Sequence, residues 1–401
     1  MVYLTRGSFW STTGQVVTSF IVLGFAVLVA HFVPKDVYGE YKYIIAMVAI
    51  LSSLSLTGLN AAVFQSVARG FDGALFEGFW INIRWSVLIF LGAFMLAIYY
   101  FLQGNATLAL GVLIGGSLSP FLASANLSAI FLSAKKDFAR SAIYFDIIEN
   151  LSAIGLLAVT VLVTKNPLLL VAAYFVGNTL STYLLYRRVV RVYNPDPSKR
   201  DPEMLTYGKH LSLMGVIGTI AGNIDQILLF HFAGPVELAI YNFATAIPDQ
   251  SKGLFKALNT MLQAKFVHRP PEEIHASMRN KMLWLFISVC IAIALYILLA
   301  PYFFAFFFPN YVGSVPYSQL YALSLVSVVI APAASYLAAK KKVKEQYLSG
   351  IAGAVMQIGL VVVGVVWFGL LGLVLSRVIF RIGNTLLTFA LYDSAIRKEI
   401  Q

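Results

Sequence analysis

Two arginines four residues apart, Arg377 and Arg381, interrupt the otherwise apolar stretch LVLSRVIFRIGN. That spacing is about one helical turn, so both lie on one face. A guanidinium fork grips phosphate oxygens bidentately, and two of them suit a diphosphate. An arginine at mid-bilayer costs roughly 2.5–3.5 kcal/mol on insertion scales. The pair therefore implies an aqueous cavity, a bound anion or a structural ion pair. A second basic face occurs in IPDQSKGLFKALN, where Asp249, Lys252, Lys256 and Asn259 fall along one helix. Lys252 and Lys256 would attract the same anion from the cytoplasmic side, or remain as solvated, snorkelling lysines.

The carboxylates within apolar runs are few. Asp225 follows Asn223 and precedes Gln226; it would suit a proton site or pair with an arginine. Asp146, Glu149 and Asn150 in YFDIIENL share a face at i, i+3 and i+4. They would bind a coupling cation, a proton or sodium, or pair with Arg84 in INIRWS. Pro120, Pro248, Pro301 and Pro332 fall in or near apolar runs and are candidate hinges, because proline frees a carbonyl and permits bending. No phosphate-binding G-x-x-x-x-G-K-[ST] loop, H-E-x-x-H or Ser/His/Asp grouping is visible, and one cysteine, Cys290, excludes a cysteine metal site. The expectation is a protein that is not an enzyme and uses neither cofactor nor metal.

The elements that carry these residues follow from composition. Hydrophobic residues make up 59% of the 401 and charged residues 12%, against about 25% charged in a soluble domain. The solvent is therefore lipid. A spanning helix needs about 20 apolar residues, and twelve runs qualify: 9–31, 43–66, 79–102, 107–133, 141–164, 167–186, 209–232, 238–262, 282–308, 316–339, 347–366 and 368–392. The last two meet in a tight hairpin at Trp367–Gly369. The first run is too long for a signal-peptide core and no small-residue cleavage site follows it, so it reads as a retained helix.

Charge supports the count. With a cytoplasmic N-terminus, 24 of the 29 Lys and Arg fall in cytoplasmic segments; Lys35, Lys42 and Lys165 lie outside, and Arg377 and Arg381 within a span. This is the positive-inside pattern. It accounts for the net charge of +11 without nucleic acid. The polar, Pro-rich segment RRVVRVYNPDPSKRDPEM, 187–204, divides six spans from six. The expected domains are an N-lobe at 1–190, a cytoplasmic linker at 191–206 and a C-lobe at 207–401.

The halves also repeat. HFVPKDVYGEY starts at His31 and HFAGPVELAIY at His231; Arg69 and Arg269 match at the same offset of 200 residues. An even number of spans per half gives parallel halves related by a pseudo-two-fold along the membrane normal. The fold expected is an all-α membrane protein of twelve transmembrane helices in two six-helix bundles around a central cavity.

The N-terminal run from Gly7 to Gly70 resembles the start of the polysaccharide-unit (O-antigen) flippases, and the likeness in topology covers the whole chain. The likeness rests on Pro34, Tyr38, Gly39 and Tyr41 in the first turn, Gly58, Leu59 and Ala62 at the end of the second helix, and Arg69 beyond it. Asp225 and Tyr241 match the seventh helix and its turn, where Ala239 replaces the expected glycine. The resemblance implies the multidrug/oligosaccharidyl-lipid/polysaccharide exporter superfamily, alternating access and no ATP hydrolysis. It implies transport of a lipid-linked oligosaccharide, on a polyprenyl diphosphate, across the cytoplasmic membrane of the cell envelope by a monomer with both termini cytoplasmic. A multidrug/cation antiporter is the alternative within the superfamily. An integral-membrane glycosyltransferase or polymerase is the alternative outside it, but no outer loop is long enough to house one.

Overall fold

The computed structural model describes residues 2–267, 271–340 and 342–400, with side chains for all of these but 2–6, 8, 11, 213–214, 251–265, 267, 271, 275–277, 279, 343 and 398–400. Among the described residues there is no strand. The helices are α1 (Val2–Phe32), α2 (Lys35–Ser52), α3 (Leu59–Ala68), α4 (Ala74–Trp85), α5 (Val87–Leu102), α6 (Ala106–Ala134), α7 (Phe138–Ser141), α8 (Asn150–Val163), α9 (Pro167–Tyr193), α10 (Met204–Ala233), α11 (Pro235–Val267), α12 (Pro271–Phe307), α13 (Val315–Ala322), α14 (Ala331–Ala339) and α15 (Val343–Ile400). A π-helical segment, Ala142–Glu149, joins α7 to α8, and a 3-10 segment, Leu323–Ile330, joins α13 to α14. The chain is an all-α, multi-pass membrane protein.

Nine described helices are long and apolar enough to cross a bilayer. Three expected runs have no separate place among the nine, each for a local reason. Run 43–66 is broken between Ser52 and Leu59, so α2 and α3 are each short. Run 238–262 lies inside α11, which carries charge along its length. Runs 347–366 and 368–392 are continuous in α15 except at Gly369, whose φ of 57° turns the chain back. That is the expected hairpin. A side chain on Gly372 would strike the Gly364 carbonyl at 1.9 Å, and Ser376 Oγ donates to Leu360 O at 2.7 Å, which fixes how closely the two arms approach.

By packing, the chain forms two compact units, Met1–Ile227 and Leu228–Gln401. In the first, α6 is the central helix, against α2, α3, α4, α5 and α9. Its small residues permit this: a Cβ on Gly116 would lie 2.3 Å from the Ala93 Cβ on α5. The break falls within α10 because the first half of that helix packs on the first unit. Ser212 Oγ accepts from Gly58 N–H at 2.9 Å, and Gln65 Nε2 donates to Tyr207 Oη at 2.8 Å. The linker itself is docked. Asp201, 3% exposed, accepts from Ser66 Oγ and Arg69 Nη2, both at 2.6 Å, and Gly73 N–H donates to Lys199 O at 3.0 Å. Ser198 donates its hydroxyl and its N–H to Asp196, which holds that carboxyl below the usual range.

Both His-Phe segments form the turn between consecutive helices, α1 to α2 and α10 to α11. Tyr41 and Tyr241 are both buried, and Ala239 is accommodated without exposure where the first copy has Gly39. The aromatic run 302–311 reads by composition as an interfacial belt. Tyr302 and Phe306 are exposed in that manner, but Phe304, Phe308 and Tyr311 are buried, with Tyr311 stacked on Phe243 at 3.7 Å.

Candidate functional site

In the first unit, α1, the π-helical segment, α8 and α9 meet around Asp146 and Glu149. A π turn leaves carbonyls out of register with the α-helical ladder, and such turns recur at functional positions. Here Asn150 Nδ2 donates to Phe145 O at 3.0 Å and Asp146 O at 3.1 Å, and Thr18 Oγ1 of α1 donates to Asp146 O at 2.7 Å. The side chains expected to form one acidic face thus divide: Asn150 satisfies the irregular backbone, while the carboxylates turn to α1 and α9. The Asp146 carboxylate lies against α1 at Gly14, where a Cβ would come within 2.4 Å of Oδ2. Glu149 Oε1 contacts Thr182 Oγ1 of α9 at 2.6 Å, and Thr182 Oγ1 also lies 2.7 Å from Asn178 O. Neither carboxylate pairs with Arg84. Arg84 is exposed on α4 with no ion pair among the described residues. Asp225 is buried on α10, 2% exposed.

In the second unit, Arg381 of α15 is held on three sides. Nη1 donates to Ser324 Oγ at 2.5 Å, Nη2 donates to Tyr321 Oη at 2.6 Å, and Nη2 lies 3.4 Å from Asp249 Oδ1. Tyr321 Oη is also within 3.0 and 3.2 Å of the Asp249 carboxylate oxygens, and the guanidinium sits 4.7 Å from the Tyr321 ring centroid. Ser324 and Tyr321 are buried and Arg381 is 15% exposed, whereas Asp249 is 45% exposed. Arg377, one turn away, is 8% exposed. The arrangement is an arginine with two buried neutral partners and one half-exposed carboxylate, which Tyr321 also contacts. Lys252 and Lys256 lie on α11, but their side chains are outside the described residues. Of the proline hinges, Pro120, Pro248 and Pro301 lie inside continuous helices, while Pro332 opens α14 where the 3-10 segment ends.

Two of the irregular helical segments therefore carry polar groups of interest: Asp146 and Glu149 in the π segment, Ser324 in the 3-10 segment Leu323–Ile330. Sequence reasoning found the carboxylates and the arginines. It missed Thr18, Thr182, Tyr321 and Ser324, and it grouped Asp249 with lysines rather than with Arg381. A hydroxyl inside an apolar helix gives no signal of its own, since most such groups bond their own helix.

Residues 4–255 match the profile of a family described as polysaccharide biosynthesis protein. The chain belongs to this polysaccharide biosynthesis family. No curated protein matches it significantly. Among solved structures, it is similar to an inward-facing multidrug resistance MATE family transporter of the MOP superfamily, at 14% identity and a TM-score of 0.75, over 98% of each chain. It is similar to an outward-facing MATE family transporter at 15% identity and 0.67, over 99% of this chain and 96% of the other. A MOP superfamily transporter from Pyrococcus furiosus, described as having a binding pocket of reversed polarity, aligns at 16% identity and 0.67, over 100% and 96%. This polysaccharide biosynthesis family member thus has the fold of the MOP transporters.

Proposed function

We propose that the protein is a flippase that moves a lipid-linked oligosaccharide, on a polyprenyl diphosphate, from the inner to the outer leaflet by alternating access. The lobes are spans 1–6 at 1–190 and spans 7–12 at 207–401, joined by the linker at 191–206. The protein works as a monomer in the cytoplasmic membrane with both termini inside. One observation carries the reading: a member of a polysaccharide biosynthesis family has an arginine pair, Arg377 and Arg381, inside a membrane helix. Arg381 is pre-oriented by Ser324 and Tyr321, so a diphosphate would meet a rigid fork in competition with the half-exposed Asp249 carboxylate. Lys252 and Lys256 would draw the headgroup in.

Coupling is assigned to Glu149 with Asp146. Thr182 has one hydroxyl proton and two acceptors. If that proton goes to Asn178 O, the 2.6 Å contact with Glu149 needs its proton on the carboxyl. Glu149 then carries a proton that it releases when the helices part. Asp225 is the second candidate.

A cation-coupled drug antiporter would use the same carboxylates but not the arginine pair. Deleting the gene in its host and analysing lipid-linked glycans separates the two. The flippase reading expects one glycan to accumulate on the cytoplasmic leaflet, with rescue by the wild-type chain and none by Arg377→Ala or Arg381→Ala. An unchanged glycan profile with increased drug sensitivity would favour the antiporter.

A further inference from the structure

Lys42 lies about two turns into α2 and is partly buried. Its Nζ is 5.5 Å from the centroid of the Tyr38 ring. Tyr38 stacks on Tyr41 at 6.0 Å between centroids, and Tyr41 meets the Tyr174 ring of α9 edge to face at 6.1 Å. The lysine therefore stands among tyrosines where α2 packs on α9. Among the described residues it has no hydrogen bond and no carboxylate partner. The cation–π contact with Tyr38 steadies the ammonium, but it does not replace the hydrogen bonds that an ammonium loses on leaving water.

Tyr174 connects this lysine to Glu149, because its phenol feels the charge of both. A stripe of polar contacts runs the same way. Asn178 Nδ2 donates to Tyr174 O at 2.7 Å, Thr182 Oγ1 lies 2.7 Å from Asn178 O, and the same hydroxyl lies 2.6 Å from Glu149 Oε1. Tyr174, Asn178 and Thr182 follow at i, i+4 and i+8, so they share one face of α9.

The other elements packed on the π-helical segment bring Glu149 no positive charge. Asp146, on the segment itself, has the same sign as Glu149. Tyr144, also on the segment, is taken up by Arg188 of α9. On α7, Arg140 pairs with Asp137. No side chain of α8 titrates. Among its described side chains, α1 has one titratable group, His31, at the far end of the helix and bonded to Val27 O. Lys42 is thus the cation that the Glu149 network meets, and it meets it at Tyr174.

We propose that Lys42 is a positioning residue for proton coupling: acting through Tyr174, its ammonium supplies the counter-charge that lets Glu149 give up its proton. While Glu149 is neutral, Lys42 has no anion to offset. When the proton passes to water, the remaining carboxylate is balanced by Lys42, and the Tyr174 hydroxyl turns its dipole to the new charge. The proposal rests on the assignment of coupling to Glu149 above.

The test reads the proton directly. Purified full-length protein in lipid bilayers is titrated from acid to alkaline pH while infrared difference spectra record the protonated-carboxyl band. The component lost in Glu149→Gln belongs to Glu149, and its midpoint is followed in further variants. Lys42→Gln should raise that midpoint by about one pH unit, because an opposite charge is removed. Lys42→Met should do the same and serves where the glutamine variant does not fold. Tyr174→Phe should raise it as well. Lys42→Arg keeps the charge and should keep the wild-type midpoint. An unchanged midpoint in the charge-removing lysine variants or in Tyr174→Phe would overturn the proposal and leave Glu149 as the coupling site. An equal shift in Lys42→Arg would also overturn it, since a role in packing alone would then explain the effect. A titration with no component sensitive to Glu149→Gln would remove the coupling assignment itself, and the proposal with it.

Discussion

Thr182 must choose between Asn178 O and Glu149, and that choice makes the protonation of Glu149 testable. Glu149→Gln places an amide donor where the acid proton would be, so the fold should survive. Transport should lose its dependence on pH while substrate binding persists, measured in vesicles over an acid-to-alkaline series. Wild-type pH and sodium dependence in both Glu149→Gln and Asp225→Asn would remove carboxylate coupling and leave a potential-driven uniport. Arg381 makes a different prediction. A lysine in its place keeps the charge but cannot reach Ser324, Tyr321 and Asp249 together. Arg381→Lys should therefore retain only part of the activity, and Arg381→Ala none, with both proteins still in the membrane by immunoblot. Asp249→Asn removes the competing carboxylate and should lower the apparent KM for the lipid-linked glycan.

Among the elements, the docked linker has the clearest energetics. Asp201 is buried and accepts two charge-assisted or hydroxyl bonds, whereas its partner Arg69 is half exposed. Truncating the buried member should cost about 1.5–3 kcal/mol. Truncating the exposed member should cost about 0–1 kcal/mol, because Ser66 still serves the carboxylate. Thermal unfolding in detergent should accordingly rank Asp201→Ala well below Arg69→Ala, and equal stabilities would mean that the linker contact is incidental. The central helix α6 offers a steric counterpart. Gly116→Val puts methyl groups where even a Cβ lies 2.3 Å from Ala93. Overpacking of about 1–3 kcal/mol or more is expected, visible as a lower unfolding temperature.

For the whole molecule, the topology is open to direct measurement because Cys290 is the only cysteine. In a Cys290→Ser background, thiols introduced at Gly104 and Gly313 should react with an impermeant reagent on intact cells. A thiol at Ser198 should react only after permeabilisation. Labelling of Ser198 from outside would dismantle the six-plus-six arrangement.

The membrane class, the helical content and most span positions were legible in the chain because hydrocarbon forces every backbone polar group into internal hydrogen bonds. Apolar runs of the required length then have one structure available. The hairpin at Gly369 and the turns after His31 and His231 were legible for a related reason: glycine and proline limit what the backbone can do there. Other features depended on neighbours far away in sequence. The break between α2 and α3 is stabilised by Ser212, 154 residues from Gly58, and the buried Asp201 is recognised only by its contacts with Ser66 and Arg69. Arg381 was conspicuous by its depth, but what it touches was decided by Asp249, Tyr321 and Ser324 on other helices. Depth in the bilayer is a property of one segment and can be counted along it. A partner is a property of packing, and only the tertiary structure selects which of several similar hydroxyls and carboxylates comes within reach.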